Sequence, residues 1–78
     1  MDIRIAEQLW ATSMAPEGVL ERWRAEDGGQ VRSQQALAEV RIEDCLHEIV
    51  APGAGSLERL AKAGDVIEPG SLIGRVSR

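Results

Sequence analysis

The side chains best suited to chemistry in this sequence are few, and two of them lie close together. Among its 78 residues the chain has one cysteine and one histidine, Cys45 and His47. A separation of two residues places both side chains on the same face of a β-strand. In that arrangement an imidazole could activate a thiol as a nucleophile, or the pair could supply half of a metal site.

A simpler interpretation competes with both of these. Two ligands fall short of the four that a structural metal site uses, and no second thiol or acidic residue is spaced to complete the set. Free cysteine is among the residues most often buried in proteins. We therefore expect no metal site here, but a small buried Cys45 beside a partly covered His47.

The acidic side chains near this pair are a second candidate site. Glu43, Asp44 and Glu48 could act as paired carboxylates in acid–base catalysis, or could bind calcium. The alternative is a solvated acidic turn with Arg41 beside it, because charge clusters on a hairpin usually face water. An exposed acidic turn can still serve as a contact surface for a protein partner.

Two tryptophans are the only aromatic side chains, since the chain lacks phenylalanine and tyrosine. Trp10 and Trp23 could line a ligand groove. A chain of this length buries only roughly 60% of its unfolded surface, so its core is thin. We therefore expect both tryptophans to provide the bulk of that core.

Composition excludes several classes of protein. A chain of 78 residues has room for one domain, so residues 1–78 are assigned to a single unit. The net charge of −4, without a basic cluster, argues against nucleic-acid binding. No apolar run reaches the ~18 residues of a membrane span, no signal peptide is evident, and a lone cysteine cannot form an internal disulfide. We expect a cytoplasmic location, no membrane association, no catalytic residues and no enzyme activity of its own.

The elements that must position these side chains can be predicted in two ways. By local propensity, residues 20–25 and 31–50 are rich in helix-forming residues, which favours a small helical hairpin broken at Gly28 and Gly29. The spacing of glycine and proline instead favours short strands joined by tight turns. The residues concerned are Gly18, Gly28, Gly29, Gly53, Gly55, Gly64, Gly70, Gly74, Pro52 and Pro69.

An internal repeat decides in favour of strands. The segment 18–23 returns as 55–60, thirty-seven residues later, and Leu20 and Trp23 share one face only if a bulge lies between them. After a slip of one residue, Gly28, Val31, Leu37 and Val40 match Gly64, Ile67, Ile73 and Val76. We expect two copies of one β unit packed face to face, with residues 41–44 as an exposed hairpin tip between them. The predicted fold is all-β, a flattened barrel or sandwich of about eight short strands.

This spacing resembles the biotinyl/lipoyl carrier domain of 2-oxoacid dehydrogenase and biotin-dependent carboxylase complexes. The resemblance rests on Gly18, Trp23, Gly28, Val31, residues 37–40, residues 51–55, Gly64-Asp65, Ile67, Gly70, Ile73 and Val76, with Trp10 to Met14 upstream. It implies a barrel-sandwich hybrid of two quasi-symmetric halves. Gly29 stands where the family usually has aspartate, and Gln34 where it usually has glycine, which affects turn geometry rather than the fold.

The departure at the hairpin tip matters more than the match. The family carries its lipoyl or biotinyl group on a lysine at this tip, and counting from both sides places Asp44 there, between Glu43 and Cys45. The only lysine, Lys62, lies in the second half. A carboxylate cannot replace the amine that a ligase acylates, so neither lipoate nor biotin is expected as a cofactor. Cys45 as a substitute covalent handle has no precedent in the family pattern.

Three functions follow as hypotheses. The first is a non-covalent protein-interaction or regulatory module whose partners are subunits of an acyltransferase, dehydrogenase or carboxylase complex. The second is a specialised carrier for acyl or carboxyl transfer that uses another attachment group. The third, which belongs to the helical alternative, is a small adaptor.

Overall fold

Nearly every regular element of this protein is a β-strand. The computed structural model describes residues 1–78 and contains eight strands and one 3-10 turn, Glu7–Trp10. The strands are β1 (Asp2–Arg4), β2 (Gly18–Trp23), β3 (Gln30–Val31), β4 (Ala36–Ile42), β5 (Cys45–Val50), β6 (Gly55–Arg59), β7 (Val66–Ile67) and β8 (Leu72–Ser77). The all-β prediction is confirmed and the helical hairpin is wrong, because tertiary pairing overrides local helix propensity between residues 31 and 50. No helix has the length and apolar character that a membrane crossing requires.

The strands form two four-stranded antiparallel sheets that enclose the core. One sheet has the order β5-β4-β2-β7 and is called the hairpin sheet, since it contains the β4–β5 hairpin. The other has the order β1-β8-β6-β3 and is called the terminal sheet. Position by position, β5, β4, β2 and β7 of the hairpin sheet correspond to β1, β8, β6 and β3 of the terminal sheet. The two halves of the chain are therefore related by a quasi-two-fold axis.

The predicted repeat is confirmed by burial. Leu20 and Leu57 are 0% and 1% exposed, and the pairs Leu37 with Ile73 and Val40 with Val76 are fully buried. The two halves also exchange their short strands, which the sequence did not indicate: β3 pairs with β6, and β7 pairs with β2. The halves are therefore interlocked rather than simply stacked.

A bulge lies in β2, between the two residues that could share a face only if one were present. The register between β2 and β4 shifts between Leu20 and Arg22, which returns both Leu20 and Trp23 to the core side. Trp10 is buried as expected, whereas Trp23 is only half-buried at the periphery, where its Nε1 donates to the Ala61 carbonyl oxygen at 3.0 Å. Trp23 therefore closes one end of the core instead of filling its centre.

Candidate functional site

The tip of the β4–β5 hairpin is a two-residue turn. Ile42 pairs with Cys45, which leaves Glu43 and Asp44 as the turn residues, and Glu43 has a positive φ of 54°. Both acidic side chains are exposed, as predicted. Ile42 is not: it was expected in the exposed tip but is 2% exposed, because its side chain points to the core face of β4 together with Val40.

The Glu43 carboxylate is a structural group rather than a free charge. Its Oε1 accepts hydrogen bonds from Ser13 Oγ at 2.8 Å, from the Met14 N–H at 2.8 Å and from the Ala15 N–H at 3.0 Å. The Ala15 N–H is shared with Ser13 Oγ, also at 3.0 Å. One carboxylate thus ties the hairpin tip to the segment that leads into β2, and we call this set of contacts the Glu43 clamp.

These contacts determine the electrostatics of the tip. The hydrogen bond from Ser13, and then those from the Met14 and Ala15 amides, hold the pKa of Glu43 below its ordinary value. Arg41 does not take part, contrary to expectation, because its Nε lies 3.3 Å from Glu21 Oε2 on the outer face of the hairpin sheet. The acidic turn is therefore stabilised by backbone amides and a hydroxyl, not by a neighbouring cation.

A cleft of about 260 Å³ lies beside the clamp. Cys45 and His47 line it, together with Leu9, Thr12, Ser13, Ile42, Glu43 and Asp44. His47 is partly covered, as predicted, but the prediction of a buried Cys45 is wrong, because this thiol is exposed. Cys45 is the first residue of β5, directly after the exposed turn, and its side chain borders this cleft, whereas Ile49 farther along the same strand is buried.

The remaining candidate residues do not assemble into a catalytic or metal centre. Asp44 makes no side-chain hydrogen bond or ion pair, and no group of three or more His, Cys, Asp or Glu side chains is placed to hold a metal ion. Lys62 lies in the β6–β7 connection, where its backbone N–H donates to Asp65 Oδ2 at 2.8 Å. The only lysine is therefore outside the hairpin.

Sequence reasoning missed the Glu43 clamp. Its partners lie 28 to 30 residues away from Glu43 along the chain, so no local motif marks them. The available signal was indirect: if residues 10–14 precede β2 and β2 pairs with β4, then the segment before β2 must run past the hairpin tip.

Comparison with known proteins agrees with this architecture. A model of the family described as "Biotin-requiring enzyme" matches residues 11–76. The structure is similar to the solution structure of the lipoyl domain of the 2-oxoglutarate dehydrogenase complex from Azotobacter vinelandii, with a TM-score of 0.76. That similarity covers 97% of this chain and 96% of the other at 19% sequence identity, and it concerns the fold. No protein of curated function matches the sequence.

Proposed function

Because the chain belongs to the biotinyl/lipoyl carrier-domain family, we propose that it keeps the carrier scaffold without carrying a cofactor. Domains of this family are carriers, not catalysts themselves, and they work within multienzyme complexes. The proposed role is non-covalent: residues 1–78 act as one interaction or regulatory module for a 2-oxoacid dehydrogenase or biotin-dependent carboxylase complex.

The absence of an amine at the hairpin tip carries this proposal. Attachment of lipoate or biotin forms an amide, which requires a primary amine as the nucleophile. We assign the attachment position to Asp44, whose carboxylate cannot take that part, and neither neighbour in the turn region, Glu43 or Cys45, supplies an amine. The residues present at the tip therefore do not fit either cofactor, and no transfer step is assigned to this hairpin.

The rest of the tip supports a docking role. Asp44 and Glu48 are exposed and without an ion-pair partner, so they are free to meet cations on another protein. The Glu43 clamp fixes the turn in one position. A surface that is already ordered loses less conformational entropy on binding than a mobile one.

Intact mass after ligase treatment tests the proposal. Purified protein is incubated with lipoate ligase and lipoate, and separately with biotin ligase and biotin, each with ATP. We expect no mass increase in the wild-type protein. A lipoyl or biotinyl adduct on the wild-type chain, at Lys62 or elsewhere, would overturn the proposal.

The variant Asp44→Lys sharpens this test. Because Asp44 is exposed, the substitution should change the free energy of unfolding by less than about 0.5 kcal/mol. It should allow lipoylation at residue 44, which peptide mapping would locate. Glu48→Lys is the matched control, since it places an amine on the same hairpin but away from the turn, and it should stay unmodified. Modification of the control at residue 48 would show that the ligase does not distinguish the tip position.

The exposure of Cys45 favours a second candidate function. An exposed thiol next to the turn could carry an acyl group as a thioester, as a specialised carrier would require. Intact mass of the protein isolated from its native host distinguishes the two functions. A hydroxylamine-sensitive adduct on Cys45 supports the carrier, whereas an unmodified chain supports the docking module.

A further inference from the structure

One row of side chains crosses the outer face of the hairpin sheet from edge to edge. Leu46 on β5 pairs with Arg41 on β4, Arg41 with Val19 on β2, and Val19 with Val66 on β7. Directly opposed residues in antiparallel strands point to the same side of the sheet. Leu46, Arg41, Val19 and Val66 therefore form one line across four strands, which we call the outer row.

The outer row is apolar at both ends. Leu46 is 54% exposed and Val66 is 61% exposed, and both belong to the few large apolar side chains that the protein leaves in water. Val19 is half-buried between neighbours, and the Arg41 guanidinium is drawn toward Glu21, with Nε 3.3 Å from its carboxylate. The aliphatic stem of Arg41 can then continue the apolar surface between Leu46 and Val19.

The other half of the molecule provides an internal comparison. In the terminal sheet the equivalent line runs through Ser77 on β8, Ser56 on β6 and Gln30 on β3, which we call the polar row. By the repeat offset of 36 or 37 residues, Ser77 is the counterpart of Arg41, Ser56 of Val19, and Gln30 of Val66. The same backbone positions are thus polar in one sheet and largely apolar in the other.

This difference indicates that folding does not require the apolar residues of the outer row. Neither strand formation nor core packing requires valine at positions 19 and 66, because serine and glutamine occupy the equivalent positions of strands of similar length. Isolated exposed apolar residues need no explanation, but here they are aligned across one sheet face. An apolar line that the fold does not need is typical of a contact surface.

The charges around the outer row indicate what it contacts. Glu17 precedes β2, Glu68 follows β7, Asp44 lies at the hairpin tip and Glu48 is on β5, so these carboxylates flank the strands that carry the row. All four are exposed and none takes part in an ion pair, whereas the arginines on and next to β2 and β4 are each paired: Arg22 and Arg24 with Glu39, and Arg41 with Glu21. A rim of this sign repels nucleic acid and anionic lipid, and it also repels the same face of a second copy.

We propose that the outer row docks a partner protein whose contact surface has an apolar centre and a rim of lysine or arginine. The partner's apolar side chains cover Leu46, Val19 and Val66, and its basic side chains meet the carboxylates around them. This inference rests on the proposed docking function and names the face that performs it. It places the contact on the outer face of the hairpin sheet, beside the tip rather than in the cleft lined by Cys45.

A pair of synthetic peptides tests the assignment. The row spans three inter-strand spacings, roughly 14 Å, which about ten residues of helix can cover. The first probe is a 15-residue amphipathic helix with a leucine face and lysine flanks, and the second has glutamate in place of every lysine. Each is titrated into ¹⁵N-labelled protein while amide chemical shifts are recorded.

We expect the lysine peptide to shift the amides of the outer row and to bind more weakly as salt is added. The glutamate peptide should leave these amides unchanged. The double variant Val19→Ser with Val66→Gln, which copies the residues of the polar row, should weaken binding about tenfold or more while remaining folded. Ser77→Ala, in the polar row, is the matched control and should bind as the wild type does.

Several outcomes would overturn the assignment. These are absence of binding, equal binding of both peptides, shifts centred on the polar row, or unchanged affinity in the double variant. Concentration-dependent dimerisation that the double variant abolishes would also overturn it, since a second copy would then be the partner. The ligase experiment is independent of these results: a modified wild-type chain defeats the proposed function, whereas failure of the titration with an unmodified chain defeats only this choice of face and partner.

Discussion

The two halves of this protein have nearly the same core and different surfaces. Leu20 and Leu57 are buried alike, as are Val40 and Val76. On the outside the equivalent positions differ: Val19 in the hairpin sheet corresponds to Ser56 in the terminal sheet. Packing within the sandwich constrains the inward positions of both halves in the same way. The outward positions carry no such constraint, and they are therefore where a function of one half becomes visible.

The largest expected effect tests the equivalence of the two cores. Leu20→Ala and Leu57→Ala each remove a fully buried leucine and leave a cavity, so each should lower the free energy of unfolding by about 3–5 kcal/mol. Urea denaturation of both variants measures the loss. Because total stability in a domain of this size is itself small, Leu20→Val and Leu57→Val serve as milder substitutes.

The test is whether Leu20→Ala and Leu57→Ala lower the free energy of unfolding by similar amounts. Losses within about 1 kcal/mol of each other would confirm that the halves contribute equally to one core. A large effect at Leu57 with almost none at Leu20 would show that the hairpin sheet is not packed as tightly as the terminal sheet, and the quasi-symmetry would then be geometric only.

A smaller effect is expected at the turn before β4. It has the same kind of backbone conformation as its counterpart before β8 but carries glutamine where the counterpart has glycine. Gln34 has a φ of 69°, and Gly70, thirty-six residues later, has a φ of 86°. A side chain in this left-handed region costs roughly 1–2 kcal/mol, which glycine avoids. Gln34→Gly should therefore raise the free energy of unfolding by up to about 1 kcal/mol, after the added flexibility of the unfolded chain is subtracted.

Gly70→Ala is the reciprocal change and should lower stability by a similar amount. Thermal unfolding of both variants measures the two shifts. If Gln34→Gly were destabilising instead, the side chain of Gln34 would have to make a contact that outweighs the strain of its backbone.

Much of this comparison was predictable from the sequence. The matched glycines and buried aliphatic residues record the repeat directly, because turns and cores restrict residue type at fixed spacing. The bulge in β2 was also predictable, since Leu20 and Trp23 cannot otherwise share a face. The repeat fails beyond that point: Leu60, the counterpart of Trp23, is 45% exposed, because β6 has no bulge and ends at Arg59.

The hairpin tip was harder to predict, for physical reasons. Burial of Cys45 was inferred from the average behaviour of cysteine, but Cys45 directly follows the exposed turn, whereas the core covers β5 only farther along, at Ile49. The Glu43 clamp depends on backbone amides of Met14 and Ala15, and amide positions leave no trace in residue type. Residue types therefore specify only weakly a contact between a loop backbone and a side chain that is far away in sequence.

The smallest expected effect concerns the Glu43 clamp, which has no counterpart in the terminal sheet. The hydrogen bonds from Ser13, Met14 and Ala15 lower the pKa of Glu43 in the folded state, so the charged carboxylate stabilises the fold. This contribution is present above the ordinary glutamate pKa of 4.5 and is lost as the pH falls through the lower folded-state pKa. Glu43→Gln removes the charge while keeping an acceptor, and should reduce stability at pH 7.

The pH dependence distinguishes the clamp from a general effect of charge. The difference in unfolding midpoint between the wild type and Glu43→Gln should shrink as the pH is lowered below 4.5 and vanish once Glu43 is protonated. Glu39, whose pKa is lowered chiefly by its hydrogen bond from Arg22, titrates in both proteins and cancels from the difference. Glu48→Gln is the control on the same hairpin, since the hydrogen bonds from Ser13, Met14 and Ala15 go to Glu43, and it should leave the exchange of the Met14 and Ala15 amides unchanged. Faster hydrogen exchange of the Met14 and Ala15 amides in Glu43→Gln alone would locate the loss at the clamp, whereas unchanged exchange there would show that these hydrogen bonds do not hold the tip in solution.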